Sequence, residues 1–184
     1  MEPVHDVRGG AAANGHDLVR RPAGMMRLVL LRHAAAEAAR PGLPDIDRAL
    51  TPRGRDEALD AARCIAAARL RIDCLLVSPA LRARETATLV AGELDISEPV
   101  HVESALYPGK PDELLQSLRL CAPGIGTVLM IGHNPGLSEL AQRLHRGQPP
   151  IELRTAGLCC IEFDRQARGA QLRPELATRV TLMR

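Results

Sequence analysis

Arg27-Leu28-Val29-Leu30-Leu31-Arg32-His33 is an aliphatic run that ends abruptly in two basic residues. It is short, β-branched at Val29, and followed by Ala34, Ala35 and Ala36, then Pro41, Gly42 and Pro44. This pattern predicts a buried strand that stops and releases the chain into a loop. In an open parallel sheet, ligands bind just beyond the carboxyl ends of the strands. Arg32 and His33 belong at that edge. A histidine there can act as a nucleophile or acid/base near neutral pH. The adjacent arginine offers a planar, permanently charged fork that matches phosphate oxygens.

Working outward, the same grammar repeats. Thr51-Pro52 reads as an N-cap and first helical position, with Ala58, Leu59, Ala62, Ile65 and Ala66 on a helical period to about Arg69. Gly54 falls in the first turn of that helix. Ile72-Asp73-Cys74-Leu75-Leu76-Val77 predicts a second buried strand. Ser78-Pro79 then reads as the cap of a helix closed by Gly92, with Arg82 in its first turn. Val100-His101-Val102 predicts a short strand, Glu103 to Gly109 a loop, and Pro111 to Leu118 a helix with acidic residues in its first turn. Thr127-Val128-Leu129-Met130-Ile131 predicts a strand that, like the first, ends in a histidine, His133. Asn134-Pro135 reads as the start of an amphipathic helix with Leu137, Leu140, Ala141 and Leu144 on one face. Gly147 to Pro150 reads as a turn, Ala156 to Phe163 as a late strand, and Arg179 to Leu182 as a last short one. Strands alternating with helices predict an α/β fold, a three-layer α/β/α sandwich around a mainly parallel central sheet.

The bulk composition narrows the function classes. At 184 residues one domain is expected, spanning 25–184, with residues 1–24 an aperiodic, flexible tail. His5 and His16 lie in that tail and are given no role. A net charge of +2, no Trp, and only Tyr107 and Phe163 as aromatics disfavour a nucleic-acid partner, which needs basic patches or stacking platforms. No stretch approaches the ~20 apolar residues of a membrane span, and no secretory h-region opens the chain. Five cysteines without a Cys-x-x-Cys read as buried free thiols in a reducing compartment, so the expected location is cytoplasmic. Cys159-Cys160 reads as strand packing.

Arg32, Arg48, Arg82, His33 and His133 all fall at element boundaries. If the strands are neighbours, their ends form one cleft with two histidines and up to three arginines. Such a cleft favours an anion, and phosphate fits it best. Each residue alone is weak, since a lone strand-end His is more often structural and a lone Arg on this chain is more often solvated.

The joint pattern is more specific. Leu31-Arg32-His33, Arg48-Ala49-Leu50-Thr51-Pro52-Arg53-Gly54, Ser78-Pro79-Ala80-Leu81-Arg82-Ala83-Arg84-Glu85-Thr86-Ala87 and Gly132-His133-Asn134, in that order, resemble the histidine phosphatase superfamily, with its phosphoglycerate mutase-like fold. The short length and the Asp-Arg-Ala-Leu-Thr segment look most like the SixA-type phosphohistidine phosphatases. The resemblance covers about Arg27 to Phe163. It implies His33 as a nucleophile that forms a phosphohistidine intermediate. It also implies Arg32, Arg82 and His133 as ligands of the phosphoryl oxygens, with Arg48 as an additional substrate contact. No metal and no cofactor are implied. Two departures stand out. Ala34 follows the nucleophile where many members have Gly, and the short span from Val90 to Thr127 lacks the helical insertion that carries the acid of larger members. Glu103 is the nearest candidate general acid, and Glu37 reads as a solvated loop residue.

A site weak in acid suits a phosphoramidate, because imidazole is a far less basic leaving group than an alkoxide. The expectation is therefore a phosphohistidine phosphatase acting on a phosphorylated protein, as a monomer, with no membrane partner. The alternatives are a phosphatase of a small phosphorylated substrate, such as a sugar or nucleotide phosphate, and a non-catalytic phosphate-binding module.

Overall fold

The structure is a computed structural model that describes residues 25–97, 100–119, 125–145, 150–164 and 177–183. The expected tail at 1–24, Cys121 and the turn residues 147–149 lie outside the described residues. The elements follow the order β1 (Met25–Arg32), α1 (Pro52–Ala67), β2 (Cys74–Val77), α2 (Leu81–Glu93), β3 (Val100–Val102), α3 (Pro111–Arg119), β4 (Thr127–Gly132), α4 (Gly136–His145), β5 (Leu158–Asp164) and β6 (Ala177–Met183). Two 3-10 turns, Asp45–Asp47 and Ser104–Leu106, interrupt the loops after β1 and β3.

The six strands form one sheet in the order β3-β2-β4-β1-β5-β6. β1, β2, β3 and β4 pair in parallel, whereas β5 runs antiparallel to both β1 and β6. Parallel crossovers are right-handed, so the direction of travel across the sheet decides which face a helix covers. The chain steps outward from β1 to β2 to β3, then reverses to insert β4 between β2 and β1. The helices change face at that reversal. Val29, Leu31, Leu75, Val77, Leu129 and Ile131 pack with Ala61, Ala62 and Ile65 of α1 and Ala83, Ala87 and Val90 of α2. On the other face Leu28, Leu30, Leu76, Val128 and Met130 meet Leu114, Leu115 and Leu118 of α3 and Leu137, Leu140 and Leu144 of α4. The period-two alternation along β1 thus feeds two cores, which is why its residues 28–31 are all apolar. Cys159 and Cys160 divide between the same two cores, and Cys64, Cys74, Cys159 and Cys160 are thiols rather than disulfides. Burial pushes the Cys159 thiol up to about 12.

Three sequence expectations are revised. β2 begins at Cys74 rather than Ile72, because the Asp73 carboxylate instead accepts the N–H groups of Gly126 (3.0 Å) and Thr127 (2.8 Å) at the entrance to β4. Ser78 does not cap α2: the N-cap is Ala80, without a side-chain bond, and the helix runs through Gly92 to Glu93. Asn134 does not cap α4 either, which starts at Gly136; its Oδ1 accepts the Ser138 hydroxyl and its Nδ2 donates to the Leu153 carbonyl. Thr51 caps α1 as expected, its Oγ1 accepting from Gly54 N at 3.0 Å ahead of Pro52. No helix among the described residues is long and apolar enough to cross a membrane.

Candidate active site

β2, β4 and β1 are neighbours, so the residues that follow them meet at one edge of the sheet. Arg32 pairs with Gly132 and Val77 with Ile131 in the ladder. The ladder is prolonged by His33 N–H to the Gly132 carbonyl (3.0 Å) and Ser78 N–H to the Ile131 carbonyl (3.0 Å). His33, His133 and Ser78 are thereby held side by side by backbone bonds rather than by loop chance. The His33 and His133 rings lie 4.9 Å apart, tilted by 56°.

Arg82 enters from the first turn of α2 and is buried at 4% exposure. Its Nε donates to His33 Nε2 at 3.3 Å and its Nη2 to His133 Nδ1 at 3.4 Å. A guanidinium can only donate, so both ring nitrogens must be acceptors. The other nitrogens complete the assignment. His33 Nδ1 lies 2.8 Å from the Ala34 carbonyl, which can only accept, so Nδ1 carries the proton. His133 Nε2 lies 2.7 Å from Ser78 Oγ and carries the proton of its own ring. Both imidazoles are neutral. Burial, with Arg82 and Arg32 close by, holds His33 down at about 4 despite the Ala34 carbonyl. Burial, then the neighbouring His33 and Arg82, hold His133 at about 3.

Arg32 turns to the α4 side, where its Nη1 donates to the Leu153 carbonyl at 3.0 Å. That carbonyl also takes Asn134 Nδ2 at 2.8 Å, and Leu153 N–H donates to Ser138 Oγ at 2.9 Å. Arg32 Nε is buried without a partner. Arg48 is partly buried and reaches Asp45 Oδ1 through Nε (2.8 Å) and Nη2 (2.7 Å), and the Glu37 carbonyl through Nη1. The loop carrying Ala34 to Leu50 is fastened to the helices at three points: Ala34 N–H to Thr86 Oγ1, Ala35 N–H to Glu57 Oε2 and Leu50 N–H to Glu85 Oε2. Gly54 permits this seating, because a Cβ there would lie 1.9 Å from the Ala35 carbonyl oxygen.

The model of the histidine phosphatase superfamily (branch 1) matches residues 28–107. The phosphohistidine phosphatase SixA of Escherichia coli (strain K12) is 30% identical over 148 residues, which is 78% of this chain and 89% of that protein. The chain belongs to the histidine phosphatase superfamily. The structure of the protein histidine phosphatase SixA complexed with tungstate matches at 26% identity and a TM-score of 0.71, over 85% of this chain and 97% of that one. A mycobacterial glucosyl-3-phosphoglycerate phosphatase, 16% identical, shares the fold at a TM-score of 0.61 over 86% of this chain and 97% of that one.

Ala34, directly after His33, is fully buried and packs with Leu50 and Ala58. Glu37 is an exposed loop residue, as read from the sequence. Glu103 follows β3, the strand beside β2, and its backbone N–H donates to the Val77 carbonyl at 2.9 Å, next to Ser78. Its side chain makes no hydrogen bond or ion pair among the described residues.

The structure adds three residues that sequence reasoning did not place in the site. Ser78 anchors His133. Tyr107 stands edge-on to the His133 ring at 5.3 Å, and its hydroxyl donates to Asp45 Oδ2 at 2.8 Å. Asp45 accepts from Tyr107, from Arg48, and from Arg82 Nη2 at 2.9 Å. The Tyr107 hydroxyl, then the two arginines, hold the Asp45 carboxyl well below the usual carboxylate range. The one available signal was compositional: Tyr107 is the only tyrosine, and it lies in a loop at the edge of the sheet where the site forms.

Proposed function

We propose that this chain is a metal-independent phosphatase that removes phosphoryl groups through His33, with phosphohistidine on a protein as its substrate. The observation that carries the reading is the His33 ring: neutral, with its proton fixed on Nδ1 and its Nε2 electron pair facing the buried Arg82, whose Nε donates to it at 3.3 Å and must release it for the attack. In the first step that pair attacks phosphorus. The bond from phosphorus to the substrate's imidazole nitrogen breaks, and the substrate ring, protonated beforehand by solvent on its other nitrogen, departs with the bonding pair as neutral imidazole. In the second step water attacks the phosphoryl group on His33, releasing inorganic phosphate and restoring the neutral ring. Arg82 and Arg32 neutralise charge on the equatorial oxygens as phosphorus passes between the in-line groups, with Arg48 as a further contact. His133, neutral and carrying its proton on Nε2, orients its ring through Ser78.

The likeness to SixA supports phosphohistidine as the substrate class, and the site's chemistry agrees. The acidic group that contacts the site arginines, Asp45, is held strongly ionised and is a poor proton donor. An imidazole leaving group needs such a donor least. The small-ester alternative is separated by experiment. Wild type, His33→Ala and Glu103→Gln are assayed, in chelator, for phosphate release from a phosphohistidine-bearing phosphocarrier protein and from an aryl phosphate. The proposal expects release from the phosphoprotein by wild type and Glu103→Gln but not by His33→Ala. Preference for the aryl ester, lost in Glu103→Gln, would assign Glu103 as the acid and a small ester as the substrate. No release from either substrate would leave a phosphate-binding module.

A further inference from the structure

Arg82 is already engaged by its own chain. Its Nη1 donates to the Asp45 backbone carbonyl at 2.6 Å and its Nη2 to Asp45 Oδ2 at 2.9 Å, while Nε and Nη2 also reach the two histidines. Asp45 Oδ2 takes the Tyr107 hydroxyl from 62 positions away in sequence, and Oδ1 takes Arg48. Three donor side chains from three segments thus converge on one carboxylate, whose planar pair of oxygens resembles one edge of a phosphoryl group. The carboxylate is carried on the short Asp45–Asp47 turn, and its side chain is 49% exposed, so it has room to swing outward. A phosphoryl group seated on His33 Nε2 would lie against Arg82 and meet this carboxylate, and two anions cannot share the same donors at close range.

We propose that Asp45 is an internal competing ligand of the phosphoryl site, which every oxyanion must displace from Arg82 and Tyr107, and that it thereby selects against weakly held anions, the product inorganic phosphate among them. This rests on reading the cleft as a phosphoryl site. A substrate with further contacts to the protein can displace the carboxylate, whereas free phosphate must exchange it for the same Arg82 and Tyr107 donors with little besides Arg32 to compensate. Phosphate therefore leaves readily after turnover.

The test is calorimetric binding of inorganic phosphate and of tungstate to wild type, Asp45→Asn and Asp47→Asn, with turnover measured in parallel. Asp47 stands exposed on the same turn, and its substitution changes the net charge equally. The expected result is at least tenfold tighter binding of both anions by Asp45→Asn, less than twofold by Asp47→Asn, and a lower KM in Asp45→Asn without a higher kcat. Unchanged or weaker binding by Asp45→Asn overturns the proposal, since Asp45 would then serve to aim Arg82. An equal gain in Asp47→Asn also overturns it, leaving general electrostatics as the cause. If no variant binds either anion, the phosphoryl-site reading fails with it. If wild type turns over substrate and Asp45→Asn gains no affinity, this inference alone fails.

Discussion

Lowering the pH from 7 to 5 should destabilise this domain through its two site histidines. An unfolded histidine titrates near 6.5, but His33 is held at about 4 and His133 at about 3. Between these values the unfolded chain binds more protons than the folded one, so stability falls as the pH drops below 6.5 and levels off only below the folded values. At pH 5 the unfolded ring is almost fully protonated and the folded one almost neutral, which costs about 2 kcal/mol for each histidine. His33 is only partly buried, so the pair together is discounted to about 3 kcal/mol. The assay is denaturant unfolding of wild type and His33→Gln at both pH values, with the imidazole titration followed by NMR. Wild type should lose about 1–2 kcal/mol more than His33→Gln between pH 7 and 5. Equal losses, or a His33 titration near 6.5, would refute the argument that burial beside Arg82 keeps this ring neutral.

Two further outcomes follow from the packing. Gly54→Ala drives a Cβ to 1.9 Å from the Ala35 carbonyl oxygen, a backbone atom that the flanking contacts hold in place. It should cost about 2–3 kcal/mol in the denaturation midpoint and reduce turnover by displacing the His33 loop. Ser78→Ala leaves the His133 Nε2–H buried without its acceptor, which should cost about 1–3 kcal/mol and lower turnover. Ser78→Thr, which keeps a hydroxyl, should recover more of the turnover than Ser78→Ala.

Much of the fold could be read from local pattern, because the strands that carry the site are buried on both faces and show as unbroken aliphatic runs. The site could be read in outline for the same reason: β1 and β4 each pass abruptly from aliphatic residues to a histidine, and Arg82 sits where a helix starts. What escaped depends on contacts distant in sequence. Asp45 gains its role only when Arg82, 37 positions on, and Tyr107, 62 positions on, close around it. Ser78 fits the pattern of a helix cap, yet its hydroxyl faces His133 from 55 positions away. Asp73 sat inside an apolar run that invited a longer strand, and its carboxylate instead secures the start of β4. The antiparallel direction of β5 has no local signature at all.

The most direct test of the account is a rapid acid- or base-quench of the enzyme turning over a phosphohistidine protein, with the phosphoryl group on the enzyme located by mass spectrometry and by phosphorus NMR. The account predicts transient phosphorylation of His33 at Nε2, the nitrogen that faces Arg82, and none in His33→Ala. Phosphate on His33 Nδ1, on His133, or release without any phosphoenzyme would contradict it.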